Sequence, residues 1–198
     1  MSEPAPSDAP TRSLDVRVGS STNALQPVAG ASRSLGAGVA QWAALGVVAT
    51  TAIVADQLTK RLVVEELGLG QQVELVGPFS LHHVRNTGIA FGLFANSTAI
   101  VAALTAVAVM GMLWFFAHAG RRHPLLPVSL GLLLGGSLSN FVDRIRLGFV
   151  TDFLDLDYWP AFNLADTFIV AGVVLLFVSF VAADRSSPRV GAAPLSRP

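Results

Sequence analysis

The sequence contains no cysteine, and this absence removes three classes of site at once. Disulfide bridges, thiolate zinc sites and cysteine nucleophiles all require a thiol. Charged residues are also scarce: they make up 13% of the 198 residues, whereas a soluble domain carries about a quarter. Hydrophobic residues reach 52%, and the formal net charge is zero, so nothing indicates nucleic acid as a partner. The composition is that of an integral membrane protein.

The first 35 residues are rich in Ser, Ala, Pro and Gly and have no hydrophobic period. This composition predicts a disordered tail. We do not expect a secretory signal peptide, because the first 30 residues contain no apolar h-region. A membrane domain over 36–183 and a second tail over 184–198 complete the predicted organisation.

Four apolar segments follow the tail, at about 35–58, 98–117, 125–142 and 162–183. Each approaches the roughly 20 residues that cross a hydrocarbon core of about 30 Å, and four crossings leave both termini on one side. The positive-inside rule then sets the orientation. Eight cations lie in the tails and the 118–124 loop: Arg12, Arg17, Arg33, Arg121, Arg122, Arg185, Arg189 and Arg197. Five lie on the opposite side, namely Lys60, Arg61, Arg85, Arg144 and Arg146. The bias predicts cytoplasmic termini.

Two connections lie on the predicted outer side. The 59–97 connection contains alternating apolar residues around Gly-Pro, which predicts short strands forming a small sheet or cradle. The 143–161 connection is a shorter outer loop with Tyr158 and Trp159, residues suited to a membrane interface. We therefore predict an all-α membrane protein with four transmembrane helices and a small extracytoplasmic β-sheet.

Polar residues gather in five clusters at the outer ends of the helices and in these connections. They are "DQLTK" (56–60), "RNTGIAFGLF" (85–94), "GGSLSNFVDR" (135–144), "VTDFLDLD" (150–157) and "FNLAD" (162–166). Asp56 and Lys60 are four residues apart and can pair on one helical face. Gly136, Asn140 and Asp143 also share a face, and the two glycines permit a close helix contact.

Each cluster alone has an ordinary structural interpretation. Asp56 with Lys60 makes an interfacial salt bridge, and Asp143 with Arg144 makes a structural pair, which we expect here. The segment around Asn86 and Gly88 is a loop that returns Phe91 and Phe94 to the membrane. Asp166 is a favourable charge at a helix N-terminus. The placement of all five clusters on one side at one depth favours a shared site.

Asp152 and Asp166 permit a specific chemistry if they face each other. Two adjacent carboxyls cannot both ionise without cost, so they share a proton and their pKa values separate. The ionised member can take a proton from water, which then attacks a peptide carbonyl, and the protonated member can stabilise the developing oxyanion and help the amine leave. Asn140 and Asn163 would orient the carboxyls or the substrate. A serine mechanism with Ser137 or Ser139 and Lys60 is a weaker hypothesis, because it leaves the aspartates unexplained.

With these motifs in order between four spans, the chain resembles the lipoprotein signal peptidases, the type II signal peptidases of bacteria. The matching segments are "DQLTK", "NTGIAF", "GGSLSNFVDR", "VTDF" and "FNLAD", within about residues 40–183. The resemblance implies an aspartic endopeptidase of the cytoplasmic membrane, active at the outer face, that cuts before a diacylglyceryl cysteine in prolipoproteins. It implies the catalytic residues Asp152 and Asp166. The supporting residues would be Asp56, Lys60, Asn86, Gly88, Gly136, Asn140, Asp143, Arg144 and Asn163.

The resemblance also implies no metal or cofactor, membrane lipids as surroundings, and globomycin-type cyclic peptides as inhibitors. We expect a monomer. Ser137 and Ser139 stand where the family usually has Ala and Gly, and Ile89 replaces a small residue; these changes leave the ionisable set intact.

Two other classes of function remain. A small proton-coupled transporter would use the aspartates as a relay, but that function prefers carboxylates near mid-span, where this sequence has none. A structural membrane protein would use the polar clusters for helix assembly and would tolerate Asp152→Asn.

Overall fold

The computed structural model describes residues 36–88, 97–120 and 123–185. Four helices of 22 to 28 residues are long and apolar enough to cross a membrane. They are α1 (Val39–Glu66), α2 (Thr98–Ala119), α3 (Leu126–Leu147) and α4 (Leu164–Arg185). The predicted architecture is confirmed. Ile89, Phe91 and Phe94 lie outside the described residues, as do both predicted tails, except that residues 184 and 185 belong to α4.

Helix α3 is the centre of the bundle. In its most apolar 18-residue window 67% of the residues are buried, against 17–22% in the other three helices. Helices α1, α2 and α4 all pack on α3 and leave their other faces open. At the end opposite the sheet, nine buried apolar residues form the core: Leu45, Ala49, Val109, Phe116, Ala119, Leu126, Leu130, Leu133 and Leu134. The exposed apolar faces of α1, α2 and α4 are suited to contact with lipid.

Four antiparallel strands join the helices at one end of the bundle. They are β1 (Gln72–Val76), β2 (Phe79–Asn86), β3 (Val150–Leu156) and β4 (Trp159–Phe162), in that order across the sheet. The two strands predicted from the 59–97 connection correspond to β1 and β2. The 143–161 connection was predicted as an outer loop, but its residues instead complete α3 and form β3 and β4. Gly77, with φ +59°, forms the β1–β2 turn beside Pro78, a conformation that favours glycine.

Helix ends determine where the polar clusters lie. Helix α1 has 28 residues, about 42 Å at 1.5 Å per residue, so it extends beyond a hydrocarbon core of about 30 Å and brings Lys60 to the sheet end. Helix α3 ends at Gly148, whose φ of +79° closes the last turn through a hydrogen bond to the Arg144 carbonyl. The chain then enters β3, two residues before Asp152.

Candidate active site

Asp152 and Asp166 come from different elements and line one cavity. Asp152 lies in β3, opposite Val84 of β2, and Asp166 lies in the first turn of α4. The cavity has a volume of about 850 Å³ and is lined by residues of α2, α3, α4 and strands β2, β3 and β4. The structure therefore brings the two predicted catalytic carboxyls to one site.

Asn163 connects these two carboxyls. Its side-chain Oδ1 accepts a hydrogen bond from the Asp166 main-chain N–H at 3.1 Å, and its own main-chain N–H donates to Asp166 Oδ2 at 3.1 Å. This reciprocal pair is a capping box, which explains why α4 begins here. The Asn163 Nδ2 group donates to Asp152 Oδ1 at 2.7 Å. The ordinary helix-capping interpretation of Asp166 is therefore correct and is compatible with a second role.

All four carboxylate oxygens of the pair accept a hydrogen bond from an N–H group. Asp152 Oδ2 accepts from Asn86 Nδ2 at 2.9 Å, and Asp166 Oδ1 accepts from Asn140 Nδ2 at 2.8 Å. The remaining two oxygens accept from Asn163 as described above. The four bonds leave each carboxyl with little freedom to rotate.

The orientation of each asparagine amide follows from its second partner. The oxygen of Asn86 accepts from the Gly88 main-chain N–H at 2.9 Å, and the oxygen of Asn140 accepts from Lys60 Nζ at 2.8 Å. The oxygen of Asn163 accepts from the Asp166 N–H. Main-chain N–H groups and ammonium groups only donate, so each amide must turn its NH₂ toward a carboxylate. Asn86, Asn140 and Asn163 are therefore held as donors to Asp152 and Asp166.

Lys60 is the centre of a buried charged cluster next to this pair. Its Nζ lies 2.7 Å from both Asp56 Oδ2 and Asp143 Oδ2, and it donates to Asn140 Oδ1. The predicted pairing of Asp56 with Lys60 is confirmed. Asp56 Oδ1 accepts from the Ala165 N–H at 2.8 Å, which attaches α1 to the first turn of α4. The cluster therefore reaches Asp166 by two routes, the Ala165 main chain and the Asn140 side chain.

The predicted pairing of Asp143 with Arg144 is wrong. Asp143 pairs with Lys60 and accepts from Gln57 Nε2 at 2.8 Å. Arg144 instead donates to the main-chain carbonyls of Gly88 at 3.0 Å and Asn140 at 3.4 Å. Neighbouring residues on a helix point about 100° apart, so Asp143 faces α1 while Arg144 faces the cavity.

Two residues of this network were not among the predicted site residues. Ser139 is fully buried, and its hydroxyl donates to Asp56 Oδ2 at 2.7 Å and accepts from Gln57 Nε2 at 3.0 Å. The sequence offered one indication for Ser139, because it is a polar residue directly before Asn140 on an apolar helix. Gln57, next to Asp56, had no distinguishing pattern.

The glycines of α3 permit the approach of both neighbouring helices. A Cβ on Gly135 would lie 2.7 Å from the Ala49 carbonyl oxygen of α1. A Cβ on Gly136 would collide with the Ala165 carbonyl oxygen and lie 2.8 Å from Ile169 of α4. Gly136 is thus the contact that lets the residue before Asp166 reach α3, and the predicted close helix contact is confirmed.

Burial changes the acidity of Asp152, which is 2% exposed. Removal from water raises the pKa of Asp152 to about 6, and hydrogen bonds from Asn86 and Asn163 act in the opposite direction. The neighbouring charge of Asp166 also acts to raise the pKa of Asp152, and the value of about 6 includes all of these effects. Asp152 therefore changes its protonation state close to neutral pH, the range in which a general acid or base is useful.

The serine–lysine arrangement is not formed. The Ser139 hydroxyl donates to Asp56, and Lys60 Nζ is directed at the carboxylates of Asp56 and Asp143 and at Asn140 Oδ1. The hydroxyl proton therefore points to a carboxylate and not to the amine. Ser137 lines the cavity, on the side of α3 away from this cluster.

Comparison with known proteins gives a consistent assignment. The family described as "Signal peptidase (SPase) II" matches residues 48–182. The chain is 45% identical to the lipoprotein signal peptidase of Symbiobacterium thermophilum over 145 residues, which cover 70% of this chain and 95% of that protein. It is 37% identical to the lipoprotein signal peptidase of Pelotomaculum thermopropionicum, over 73% of this chain and 97% of that protein. A structure of a bacterial membrane enzyme, obtained by the in meso method at 2.3 Å resolution, superposes with a TM-score of 0.67 at 26% identity, over 74% of this chain and 92% of its own.

Proposed function

This chain belongs to the signal peptidase II family, and from that premise we propose that it is an aspartic endopeptidase with Asp152 and Asp166 as its catalytic residues. Its function is the removal of signal peptides. The observation that supports the catalytic assignment is the convergence of these two carboxyls on one cavity, joined through Asn163.

The proposed reaction needs only the two carboxyls and water. The ionised member takes a proton from a water molecule as the water oxygen attacks the scissile carbonyl carbon. The protonated member gives its proton to the carbonyl oxygen, and the resulting diol collapses as the amine leaves with a proton. A carboxylic acid and an amine are released, and the pair again holds one proton. We assign Asp152 as the ionised member, because with a pKa of about 6 it is mostly ionised at neutral pH and still basic enough to take a proton from water.

Arg144 is suited to contact the substrate main chain. Its side chain lines the cavity, and its Nε is buried without a hydrogen-bond partner among the described residues. A buried donor without a partner costs about 1–3 kcal/mol. A peptide carbonyl in the cavity would satisfy this donor and hold the substrate beside the carboxyls.

The cavity also suits a lipidated substrate. Asp152 and Asp166 lie on its polar side, whereas Val101, Ile169 and Val170 make it apolar toward the helices. Val170 is 62% exposed, so the cavity reaches the lipid-facing surface of α4. Acyl chains gain about 0.8 kcal/mol for each buried methylene, and they hold a diacylglyceryl cysteine at the membrane boundary. We infer that the cut falls just before such a cysteine in a prolipoprotein.

We infer that the sheet and the cavity lie on the outer face of the cytoplasmic membrane, with both termini in the cytoplasm. The count of eight cations against five supports this orientation. Lys60, one of the five, is paired with two aspartates in the structure, which reduces its weight in that count.

A transporter has no support from the distribution of charge. Apart from Asp184 and Arg185 at the C-terminal end of α4, the charged residues of the described helices lie toward the sheet end, and the middle of each span carries none. A proton relay across the membrane needs groups at several depths.

The decisive experiment is a gel-shift assay of precursor processing with the purified enzyme. We expect Asp152→Asn and Asp166→Asn each to lower the cleavage rate at least about 10³-fold, because neither amide can exchange a proton with water or substrate. Both proteins should still accumulate in the membrane. Globomycin added to the parent enzyme should reproduce the uncleaved band.

Two other aspartates serve as controls in the same assay. Asp155 lies in β3 and pairs with His82, so Asp155→Asn should process normally. Asp143→Asn should retain measurable activity, because this residue supports Lys60. Normal processing by either dyad variant would overturn the assignment, and complete inactivity of Asp143→Asn alone would exchange the roles of Asp143 and Asp152. A precursor without diacylglycerol should remain uncut by the parent enzyme if the inferred substrate class is correct.

A further inference from the structure

Ser139 and Gln57 form a hydrogen-bonded unit behind the charged cluster, outside the set that the family resemblance supplies. Ser139 is 0% exposed. Its hydroxyl lies 2.7 Å from Asp56 Oδ2 and 3.0 Å from Gln57 Nε2. The question is whether this hydroxyl only fills space or acts on the reaction.

The direction of these hydrogen bonds follows from the donors and acceptors available. Asp143 Oδ1, 2.8 Å from Gln57 Nε2, can only accept, so Gln57 must turn its NH₂ toward it. The same NH₂ donates to the Ser139 oxygen. Ser139 therefore directs its single O–H to Asp56, as a charge-assisted bond.

Two paths lead from Asp56 to Asp166. The first is direct: Asp56 Oδ1 accepts from the main-chain N–H of Ala165, the residue before Asp166. The second passes through Lys60, which lies 2.7 Å from Asp56 and donates to Asn140, whose NH₂ donates to Asp166 Oδ1. The position of Asp56 thus affects both the main chain and the carboxyl of Asp166.

We propose that Ser139, oriented by Gln57, is a positioning residue that holds Asp56 and Lys60 so that Asp166 is set for the reaction. This inference rests on the proposed catalytic role of Asp166. Without the hydroxyl, Lys60 is the one partner left to Asp56 Oδ2 among the described residues, and Lys60 can shift toward Asp143. A displacement of about 1 Å in a reacting group can cost about 10²-fold in rate, so we expect a loss near tenfold for a smaller shift.

The test compares Ser139→Ala with Ser129→Ala. Ser129 lies on the same helix and is also 0% exposed, but its hydroxyl donates to the Leu125 carbonyl of its own helix. Steady-state kinetics on a lipidated precursor should give a kcat about tenfold lower for Ser139→Ala, with KM within twofold. Ser129→Ala should keep both constants within twofold. A structural role alone would lower the thermal stability of Ser139→Ala and leave the kcat of the folded protein unchanged.

A double-mutant cycle with Gln57→Ala tests the pathway. If Gln57 acts through the Ser139 hydroxyl, Gln57→Ala should have little further effect on kcat in the Ser139→Ala background. Losses that multiply, or a kcat for Ser139→Ala within twofold of the parent, would overturn the inference. Neither outcome affects the proposed function, because that is tested by Asp152→Asn and Asp166→Asn in an otherwise native chain.

Discussion

The two halves of α3 are held to their neighbours by different interactions. The half that begins at Leu126 contributes Leu130, Leu133 and Leu134 to the apolar core. The other half contributes Ser139, Asn140 and Asp143 to a network of hydrogen bonds and salt bridges. Apolar packing depends on volume and is non-directional, whereas the network depends on the position and direction of each donor. The polar half therefore positions chemistry, and the apolar half supplies the frame.

Among the variants that test this difference between the two halves, Lys60→Met should change stability and cleavage rate the most. The change leaves Asp56 and Asp143 buried without a counter-charge, and breaking such a pair costs about 3–5 kcal/mol. It also removes the donor that orients Asn140 toward Asp166. We expect reduced thermal stability in detergent and a cleavage rate at least about 10²-fold lower.

Two matched variants separate the loss of stability from the loss of cleavage rate. Lys60→Met combined with Asp143→Asn should recover much of the stability, because one buried negative charge is removed, but little of the rate. Leu130→Ala, in the apolar half, should cost about 2–5 kcal/mol and leave the rate per folded molecule within about threefold. Full recovery of the rate in the double variant would contradict the orienting role of Lys60.

A glycine clash in each half gives a second comparison. Gly136→Ala places a methyl group against the Ala165 carbonyl oxygen, so we expect α4 to shift beside Asp166 and the rate to fall about 10–100-fold. Gly172→Ala produces a similar clash, 2.7 Å from the Ser129 carbonyl oxygen, but in the apolar half. Overpacking there should cost about 1–3 kcal/mol of stability and change the rate less than threefold.

Gly111→Ala is the control for these two substitutions, since an added Cβ at Gly111 meets no atom of the described residues within 4 Å. It should lower neither the stability nor the cleavage rate. Equal rate losses in Gly136→Ala and Gly172→Ala would remove the distinction between the two halves.

The rate should depend on pH in the window set by Asp152. Burial raises the pKa of Asp152 to about 6, and the mechanism needs one ionised carboxyl. Acidification below about pH 6 protonates Asp152, so kcat/KM should fall about tenfold for each further unit. A rate that is constant from pH 5 to 7.5, in protein that remains folded, would exclude Asp152 from the ionisation that controls catalysis.

The stability of Asp152→Asn provides the matching control. A carboxyl whose pKa is raised by folding binds its proton more tightly in the folded chain than in the unfolded chain. Its contribution to stability is therefore lost as pH rises from about 4 through 6, by about 3 kcal/mol for a shift of about two units. The asparagine variant does not titrate, so its thermal stability relative to the parent should increase over the same window. A constant difference would contradict the raised pKa.

The smallest effect on activity is expected from cysteine labels that test the orientation. The chain has no cysteine, so a single introduced thiol is the only labelling site. Tyr158, 97% exposed at the sheet end, and His118, near the opposite end of α2, are suitable positions. A membrane-impermeant maleimide should label Tyr158→Cys in intact spheroplasts, and His118→Cys only after permeabilisation, with normal processing by both variants. The reverse pattern would invert the proposed orientation.

Local pattern was sufficient for the spans, the first two strands and the five polar clusters. Hydrophobic length identifies a membrane helix, and i, i+4 spacing identified the Asp56–Lys60 pair, because both depend only on residues near in sequence. The pairing of Asp143 was predicted wrongly because its partners, Lys60 and Gln57, are more than 80 residues away and lie on another helix. The short strand β4 depends on pairing with β3, which local propensity does not report.

The class of the protein, its membrane architecture and the residues able to perform acid–base chemistry follow from composition, periodicity and spacing. The direction of each hydrogen bond does not. Three helices meet at the glycines of α3. This contact lets Lys60 turn the Asn140 amide toward Asp166 and lets Ser139 donate to Asp56. Hydrogen bonds are set by positions within a few tenths of an ångström, and such positions arise from long-range packing.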